Sequence, residues 1–218
     1  IWLYNRREAG NISIRGGSQP LVIDEKVLVG FSDGSLVALN KSSGSVLWEV
    51  NINRNKRFRD VDAAPVLDGD TVYISSYDGA LYALNKTDGR ILWTVEEGGY
   101  DEVLVQGNTV FYSSTSGKTL ALDKGSGKVI WSRENPKGTA TAPVIYKGVL
   151  VVGEMEGALR FHDARTGEFL GKFEPGRGVT SKASIDAKSG EIYFVSADAN
   201  LFALNGSWKR FAKEWPWE

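Results

Sequence analysis

The chain has 218 residues, a formal net charge of −1 and no cysteine. A near-neutral balance of charge argues against non-specific binding to nucleic acid or to an anionic membrane, because both require a basic surface. The absence of cysteine excludes disulfides and thiolate metal sites. No apolar run approaches the roughly 18 residues of a membrane-spanning helix, and the length suits a single domain with a substantial core.

The chain is organised as a repeat. Residues 18–50 read SQPLVIDEKVLVGFSDGSLVALNKSSGSVLWEV, and residues 63–95 read AAPVLDGDTVYISSYDGALYALNKTDGRILWTV. Related copies include residues 107–131, 142–173 and 189–205. The equivalent Asn or Asp positions lie 38 to 45 residues apart, at Asn40, Asn85, Asp123, Asp163 and Asn205. A period of this length indicates a repeat architecture in which each copy packs against its neighbours.

Each copy divides into short strands separated by turns rich in Gly, Asp and Asn. In the second copy we predict strands at about residues 63–67, 71–76, 80–84 and 90–95. The strands are rich in Val, Ile, Tyr and Leu, and no segment shows a sustained helical period. Four antiparallel strands per repeat, copied in tandem, predict an all-β fold, a β-propeller of four-stranded antiparallel blades.

The repeat predicts one domain over residues 1–218 with five blades. We place the blades at about residues 16–52, 60–97, 100–134, 138–175 and 178–211. Residues 1–4 (IWLY) resemble residues 47–50 (LWEV) at the end of the first blade. We therefore expect residues 1–6 to complete the last blade and close a five-bladed ring, which would leave no exposed sheet edge. The C-terminal tail, which holds Trp208, Trp215 and Trp217, competes for the same place.

A small and a large residue face each other across the last hairpin of each blade. Three blades are expected to pair Ala38 with Trp48, Ala83 with Trp93 and Ala121 with Trp131. We interpret these tryptophans as packing residues rather than ligand-stacking residues. The fourth blade has Phe161 and Gly171 at these positions, which predicts a volume-swapped pair in which the ring covers the glycine.

The sequence offers little for catalysis. His162 is the only histidine and stands where the other blades have leucine, so we expect a buried, hydrogen-bonded side chain. Without a second histidine or any cysteine, a histidine-rich or thiolate metal site cannot form. No nucleophile with a partner base is recognisable. We therefore expect no catalytic residue, no metal site and no cofactor.

Two connectors between blades have an unusual composition. Residues 11–20 read NISIRGGSQP, and Ile12 and Ile14 share one side of an extended chain, followed by Arg15. Residues 54–62 read RNKRFRDVD, and Asp60 and Asp62 share one side. One interpretation is that the isoleucines cover a blade edge and the charges are solvated. The other is that both connectors, which join an outer strand to the next inner strand, emerge on one face and form a partner-binding patch.

The repeat ending, in which YALN is followed by Gly and then Trp, resembles the PQQ-type propeller repeat, and the two connectors resemble those of the BamB family. In that family the connectors that contact BamA carry an L-x-L-R pattern and a D-V-D pattern. Here Ile12 and Ile14 stand in place of the leucines, while Arg15, Asp60 and Asp62 match directly. BamB proteins have eight blades, and this chain resembles the last five.

The resemblance implies a non-catalytic periplasmic scaffold at the inner face of the outer membrane. Such a scaffold binds the POTRA domains of BamA and assists the assembly of outer-membrane β-barrel proteins. The resemblance further implies a monomer without a cofactor, and any lipid anchor would lie outside this chain.

Two other functions stay open at this point. A small-ligand or glycan-binding propeller would repeat polar and aromatic residues at its ligand sites, whereas the recurrent residues here look like turn and packing residues. A remnant of a PQQ-dependent dehydrogenase would typically carry calcium ligands and an adjacent cysteine pair, and the absence of cysteine counts against it.

Overall fold

A computed structural model describes residues 1–6, 18–52, 61–77 and 79–206. The regular elements in these ranges are nineteen β-strands that form five antiparallel sheets. In the part of the chain that is described, no helix is long and apolar enough to cross a membrane.

Each sheet follows the chain order, from an inner strand to an outer strand. The first sheet consists of β1–β4, at Leu21–Ile23, Lys26–Gly30, Ser35–Asn40 and Val46–Asn51. The second consists of β5–β8, at Val66–Asp68, Thr71–Ser75, Leu81–Asn85 and Ile91–Val95. The third consists of β9–β12, at Leu104–Gln106, Thr109–Ser113, Lys118–Asp123 and Val129–Glu134.

The last two sheets continue this order. The fourth consists of β13–β16, at Val144–Tyr146, Val149–Gly153, Leu159–Asp163 and Phe169–Phe173. The fifth consists of β17–β19, at Ser184–Ile185, Glu191–Val195 and Leu201–Asn205. The five sheets confirm the predicted all-β propeller fold, and the strands of the second blade lie within about three residues of their predicted positions.

Consecutive blades bury their apolar faces against each other. Between blades 1 and 2, Leu28 and Leu36 form one cluster with Ile74 and Leu84. Three further clusters join blade 2 to 3, blade 3 to 4 and blade 4 to 5. A single four-stranded sheet cannot cover both of its faces, so this face-to-face burial is the main stabilising contribution of the fold.

An indole crosses from the outer strand of each of the first three blades to the next blade, a contact that we call the tryptophan clamp. The ring of Trp48 in β4 lies against Gly89, and its Nε1 donates a hydrogen bond to the carbonyl of Lys86 at 3.3 Å. A Cβ on Gly89 would lie 2.6 Å from the indole, and its φ of 73° also favours glycine. The other clamps join Trp93 to Gly127 and Lys124, and Trp131 to Gly167 and Ala164.

The register confirms the cross-strand pairs predicted from the repeat. Ala38 lies opposite Trp48, and Phe161 lies opposite Gly171. The predicted covering of Gly171 by the Phe161 ring is wrong, because a Cβ built on Gly171 meets no described atom within 4 Å. In the other blades the tryptophan at this position reaches forward to the next blade. Gly171 therefore removes a clamp instead of exchanging volume across its hairpin.

Residues 1–6 lie against the first blade. Trp2 forms the same clamp there, since its ring contacts Gly44 and its Nε1 donates to the carbonyl of Lys41 at 2.9 Å. Trp2 thus makes the contact that the outer-strand tryptophans of blades 1 to 3 make. Within the described ranges, however, residues 1–6 pair with no strand and the last sheet has three strands. Completion of the last blade by this segment, and closure of the ring, stay predictions.

His162 is a buried part of the fourth blade. Its side chain is 1% exposed, and Nδ1 lies 3.2 Å from the carbonyl oxygen of Gly167. Because a carbonyl only accepts, Nδ1 carries the proton and donates. Burial lowers the pKa of His162 below its ordinary value, and the Gly167 carbonyl offsets this only in part. The expectation of a buried, hydrogen-bonded histidine is confirmed.

Replacing a buried clamp residue should destabilise the fold more than replacing an exposed one. Trp131 is 6% exposed and Trp2 is 36% exposed. We expect Trp131→Ala to cost about 3–5 kcal/mol of unfolding free energy, because it leaves a cavity between blades 3 and 4. Trp2→Ala, the matched control, should cost clearly less. Urea unfolding followed by circular dichroism measures both variants, and equal losses would contradict burial of the indole as the source of the larger effect.

The low pKa of His162 predicts a pH dependence of stability. The unfolded chain binds a proton near the ordinary value of 6.5, whereas the folded chain binds it only at lower pH. The neutral side chain thus contributes stability that is fully present above that value and is lost as the pH falls below it. His162→Leu restores the residue of the other blades and should reduce the loss of stability between about pH 7 and pH 5.5. Identical pH profiles of the two proteins in urea unfolding would refute this role.

Candidate partner-binding site

The two unusual connectors meet the described structure at one turn of the first blade. This turn covers residues 30–34, joins β2 to β3, and is called the anchor turn below. Residues 7–17 and residues 53–60 lie outside the described residues, but the residues that flank each of these two segments are described.

The first connector is attached to the anchor turn at both of its ends. Beyond its C-terminal end, the Ser18 amide donates to the Gly30 carbonyl at 3.1 Å, and the Gly30 amide donates to Ser18 Oγ at 2.8 Å. Ser18 is buried, so these bonds are shielded from water. Before its N-terminal end, the guanidinium of Arg6 pairs with the carboxylate of Asp33.

Arg6 is the centre of a small charged cluster beside the turn. Its Nη2 donates to Glu49 Oε1 at 2.6 Å, and its guanidinium lies 5.6 Å from the centre of the Phe31 ring. The bond to Glu49 is the largest of the effects that raise the pKa of Arg6. Burial raises the pKa of Asp33, but hydrogen bonds from Ser35 and Arg6 outweigh it and leave that pKa below its ordinary value. Both groups are therefore charged at neutral pH and hold the chain ahead of the first connector against blade 1.

The second connector is attached to the same turn. At its N-terminal end the Ile52 amide donates to the Gly34 carbonyl at 2.9 Å. At its C-terminal end the Val61 amide donates to the Phe31 carbonyl at 3.4 Å. Val61 is fully buried and packs so closely on Gly30 that a Cβ there would lie 2.4 Å from Val61 Cγ1. Four chain ends, two from each connector, thus lie on five residues of blade 1.

Only one of the five predicted site residues is described. Asp62 directly follows the buried Val61 and is half-buried. Ile12, Ile14, Arg15 and Asp60 lie outside the described residues. Their assembly into one patch with Asp62 therefore stays a prediction.

Sequence reasoning missed the residues that frame this site. Gly30 stands where blades 2 and 3 have Ser75 and Ser113, and Phe31 stands where they have Ser76 and Ser114. A comparison of the repeats at the end of each second strand could have found the anchor turn. Arg6 and Asp33 carry no such signal, because their pairing depends on the clamp of Trp2.

Hydrogen bonds and one ion-pair cluster are the chemistry that the described residues provide at this end of the blade. In the described ranges, no group of three or more His, Asp or Glu side chains lies close enough to hold a metal ion. The anchor turn offers buried hydrogen bonds and an ion-pair cluster, which are features that hold loops in fixed positions.

Comparisons with known proteins agree with the propeller fold. The chain is 30% identical over 206 residues to outer membrane protein assembly factor BamB of Legionella pneumophila (strain Paris), covering 91% of this chain and 53% of that protein. The chain thus spans about half the length of the curated relatives it matches.

Two solved structures show the same fold. The crystal structure of BamB from Moraxella catarrhalis matches with a TM-score of 0.79 at 24% identity, covering 93% of this chain and 62% of that chain. The quinohemoprotein alcohol dehydrogenase ADHIIG of Pseudomonas putida HK5 matches with a TM-score of 0.60 at 17% identity, covering 78% and 36%. At these identities the likeness supports the fold alone.

The family comparison goes further than the fold. A family model described as outer membrane protein assembly factor BamB matches residues 1–133 and 116–210. These two matches span nearly the whole chain, including both connectors and the anchor turn. The chain therefore belongs to the family of outer membrane protein assembly factor BamB.

Proposed function

We propose that this chain is a non-catalytic periplasmic scaffold that binds the POTRA domains of BamA and assists the assembly of outer-membrane β-barrel proteins. Family membership supports this proposal, since the curated relatives are named outer membrane protein assembly factors. The proposal places the chain at the inner face of the outer membrane. No observation favours a dehydrogenase, because the likeness to the quinohemoprotein concerns the fold alone.

One observation carries the choice of the binding site. The four ends of the two connectors lie on the anchor turn, through Arg6, Ser18, Ile52 and Val61. The described residues that flank the two connectors thus contact the same five residues at one end of blade 1. This supports a single patch formed by Ile12, Ile14, Arg15, Asp60 and Asp62.

The chemistry of the patch suggests how it binds. Ile12 and Ile14 enter a shallow apolar groove on a POTRA domain. Arg15 donates charge-assisted hydrogen bonds, either to the partner or to Asp60 and Asp62, and so joins the two connectors. The charges of Arg6 and Asp33 are already paired with each other, so Asp33 is not needed as the partner of Arg15.

Truncating the patch should abolish binding and spare the fold. We expect Arg15→Ala, Asp62→Ala and the Ile12/Ile14/Arg15 triple alanine variant each to weaken binding to purified BamA POTRA domains by about 2–4 kcal/mol. Isothermal titration calorimetry measures the affinity, and the melting temperature should change little. Arg177→Ala is the control, because Arg177 lies in another connector with its side chain 81% exposed. Normal binding by the triple variant would contradict the proposed site.

A second prediction tests the anchor turn through its glycine. Gly30→Ala forces a Cβ to within 2.4 Å of Val61 Cγ1, which should displace the chain that leads to Asp62. Gly153→Ala is a matched control, because its Cβ would lie 2.4 Å from Val179 Cγ1 in blade 4. Both variants should lose about 1–3 kcal/mol of stability through overpacking.

Only Gly30→Ala should also weaken binding to the POTRA domains, measured at a temperature where both variants are folded. Equal affinities of the two variants would show that the anchor turn does not position the binding residues.

A further inference from the structure

The clefts between blades differ at the end opposite the anchor turn. Between blades 1 and 2, Lys86 Nζ lies 3.5 Å from the carboxylate of Asp24 and 3.1 Å from that of Asp70. Between blades 2 and 3, Lys124 Nζ lies 2.7 Å from the carboxylate of Asp68. Each lysine is the residue whose carbonyl accepts the tryptophan clamp, so equivalent lysines bridge both clefts, one to Asp24 just after β1 and the other to Asp68 at the end of β5.

The cleft between blades 3 and 4 lacks this bridge. Its equivalent residue is Ala164, whose carbonyl accepts from Trp131 and whose amide donates to the Gly148 carbonyl at 2.9 Å. Lys124 makes the corresponding amide bond to the carbonyl of Asn108, also at 2.9 Å. Gln106, the last residue of β9, stands where Asp68 ends β5. Both the cation and the carboxylate of the bridge are therefore replaced by neutral residues.

A half-open cleft of about 300 Å³ occupies this place. The rings of Phe111 and Trp131 line it, with their centres 5.9 Å apart, and Ile130 and Ile145 line it as well. Its volume is near the lower end of the range of ligand pockets, about 300–1,000 Å³. Phe111 is 4% and Trp131 6% exposed, so a side chain that enters the cleft would meet small exposed parts of these two rings and the two aliphatic side chains.

The surroundings of the cleft indicate the character of its occupant. Arg165 also lines it, and within the described chain its guanidinium forms no hydrogen bond or ion pair. The apolar surface continues outward over Ile130, which is 52% exposed, and Val129, which is 53% exposed. Both belong to β12, the outer strand of its sheet, and within the described residues β12 has one unpaired edge. An unpaired edge beside an apolar cleft suits an extended peptide.

We propose that the cleft between blades 3 and 4 binds an aromatic side chain of an extended acidic peptide, with the carboxylate of the neighbouring residue paired to Arg165. The site lies at the end of the blades opposite the anchor turn and shares no residue with the proposed partner-binding patch. It therefore adds a second ligand, and it stands or falls independently of binding to BamA.

The dipeptide acetyl-Phe-Asp-amide is the probe for this site. Titrated into the ¹⁵N-labelled full chain, it should shift the Trp131 indole N–H and the amides of Ile130 and Arg165 in a saturable manner. Acetyl-Phe-Asn-amide tests the charge, acetyl-Ala-Asp-amide tests the ring, and phenylacetate tests whether a free small acid is the better ligand.

Rebuilding the bridge should close the site. The double variant Ala164→Lys with Gln106→Asp recreates the arrangement of Lys124 and Asp68, so it should fold with an unchanged or higher melting temperature. We expect it to bind the probe at least about tenfold more weakly than the original chain. The reverse change, Lys124→Ala with Asp68→Gln, needs Gly125→Arg as well, because Gly125 stands where blade 4 has Arg165, and this triple variant should show a second saturable shift at the Trp93 indole.

Arg165→Ala gives an independent test, because its side chain supports no described contact in the fold. It should weaken acetyl-Phe-Asp-amide several-fold and leave acetyl-Phe-Asn-amide unchanged. The proposal is overturned if the original chain shows no saturable shift at Trp131, or if the rebuilt bridge leaves affinity unchanged. It is also overturned if phenylacetate binds as tightly as the dipeptide, which would assign the cleft to a small acid.

Discussion

In the described structure, an indole crosses from the outer strand of each of the first three blades to a glycine turn of the next blade. A blade has two apolar faces and can cover neither alone, so its stability depends on how neighbouring blades are placed. The indole sets that placement by filling the space above a glycine and by donating to a fixed carbonyl, as Trp131 does to Ala164. A larger residue than glycine would collide with the ring, and a shift of the blade would break the hydrogen bond.

The same contact determines where both candidate sites lie. Trp2 clamps onto blade 1 as the other tryptophans clamp onto their neighbours, which brings Arg6 within reach of Asp33. The anchor turn thereby gains a charged partner ahead of the first connector. At the opposite end, the residue that receives the clamp decides whether a cleft is bridged, since Lys124 reaches Asp68 whereas Ala164 reaches nothing charged. The consequence of a departure from the repeat thus depends on its position in the blade.

Other departures are compensated within the fold. Glu154 replaces the serines that close the equivalent turns, and its carboxylate accepts from the Ala158 amide as Ser76 Oγ accepts from the Ala80 amide. His162 replaces a leucine and remains buried with its Nδ1 bonded to a carbonyl. These residues are explained by local hydrogen bonds, and neither opens a surface. Gly30 and Ala164 differ from these two residues, because they change the surface of the blade instead of being compensated by local hydrogen bonds.

Strands, turns and the packing role of the tryptophans could be predicted from the sequence, because the turn residues of the hairpins recur from copy to copy in a repeat of about 40 residues. The partner of each indole could not, since Trp48 and Gly89 meet between copies and a single hairpin does not contain that contact. For the same reason the volume swap of Phe161 and Gly171 was wrong. At the candidate site the composition of the connectors predicts five binding residues, of which only Asp62 is described. The contacts of Arg6, Ser18 and Val61 that hold the connectors could not be predicted, because they join separate parts of the chain.

Hydrogen–deuterium exchange of the full chain, with and without purified BamA POTRA domains, tests whether the two connectors form a single binding surface held by the anchor turn. A bound partner slows the exchange of the amides that it protects. We expect peptides covering residues 7–18 and residues 53–62 to become protected together on binding, while peptides covering β10 and β13 keep their exchange rates. Protection of one connector alone, or protection confined to other blades, would contradict a single binding surface held by the anchor turn.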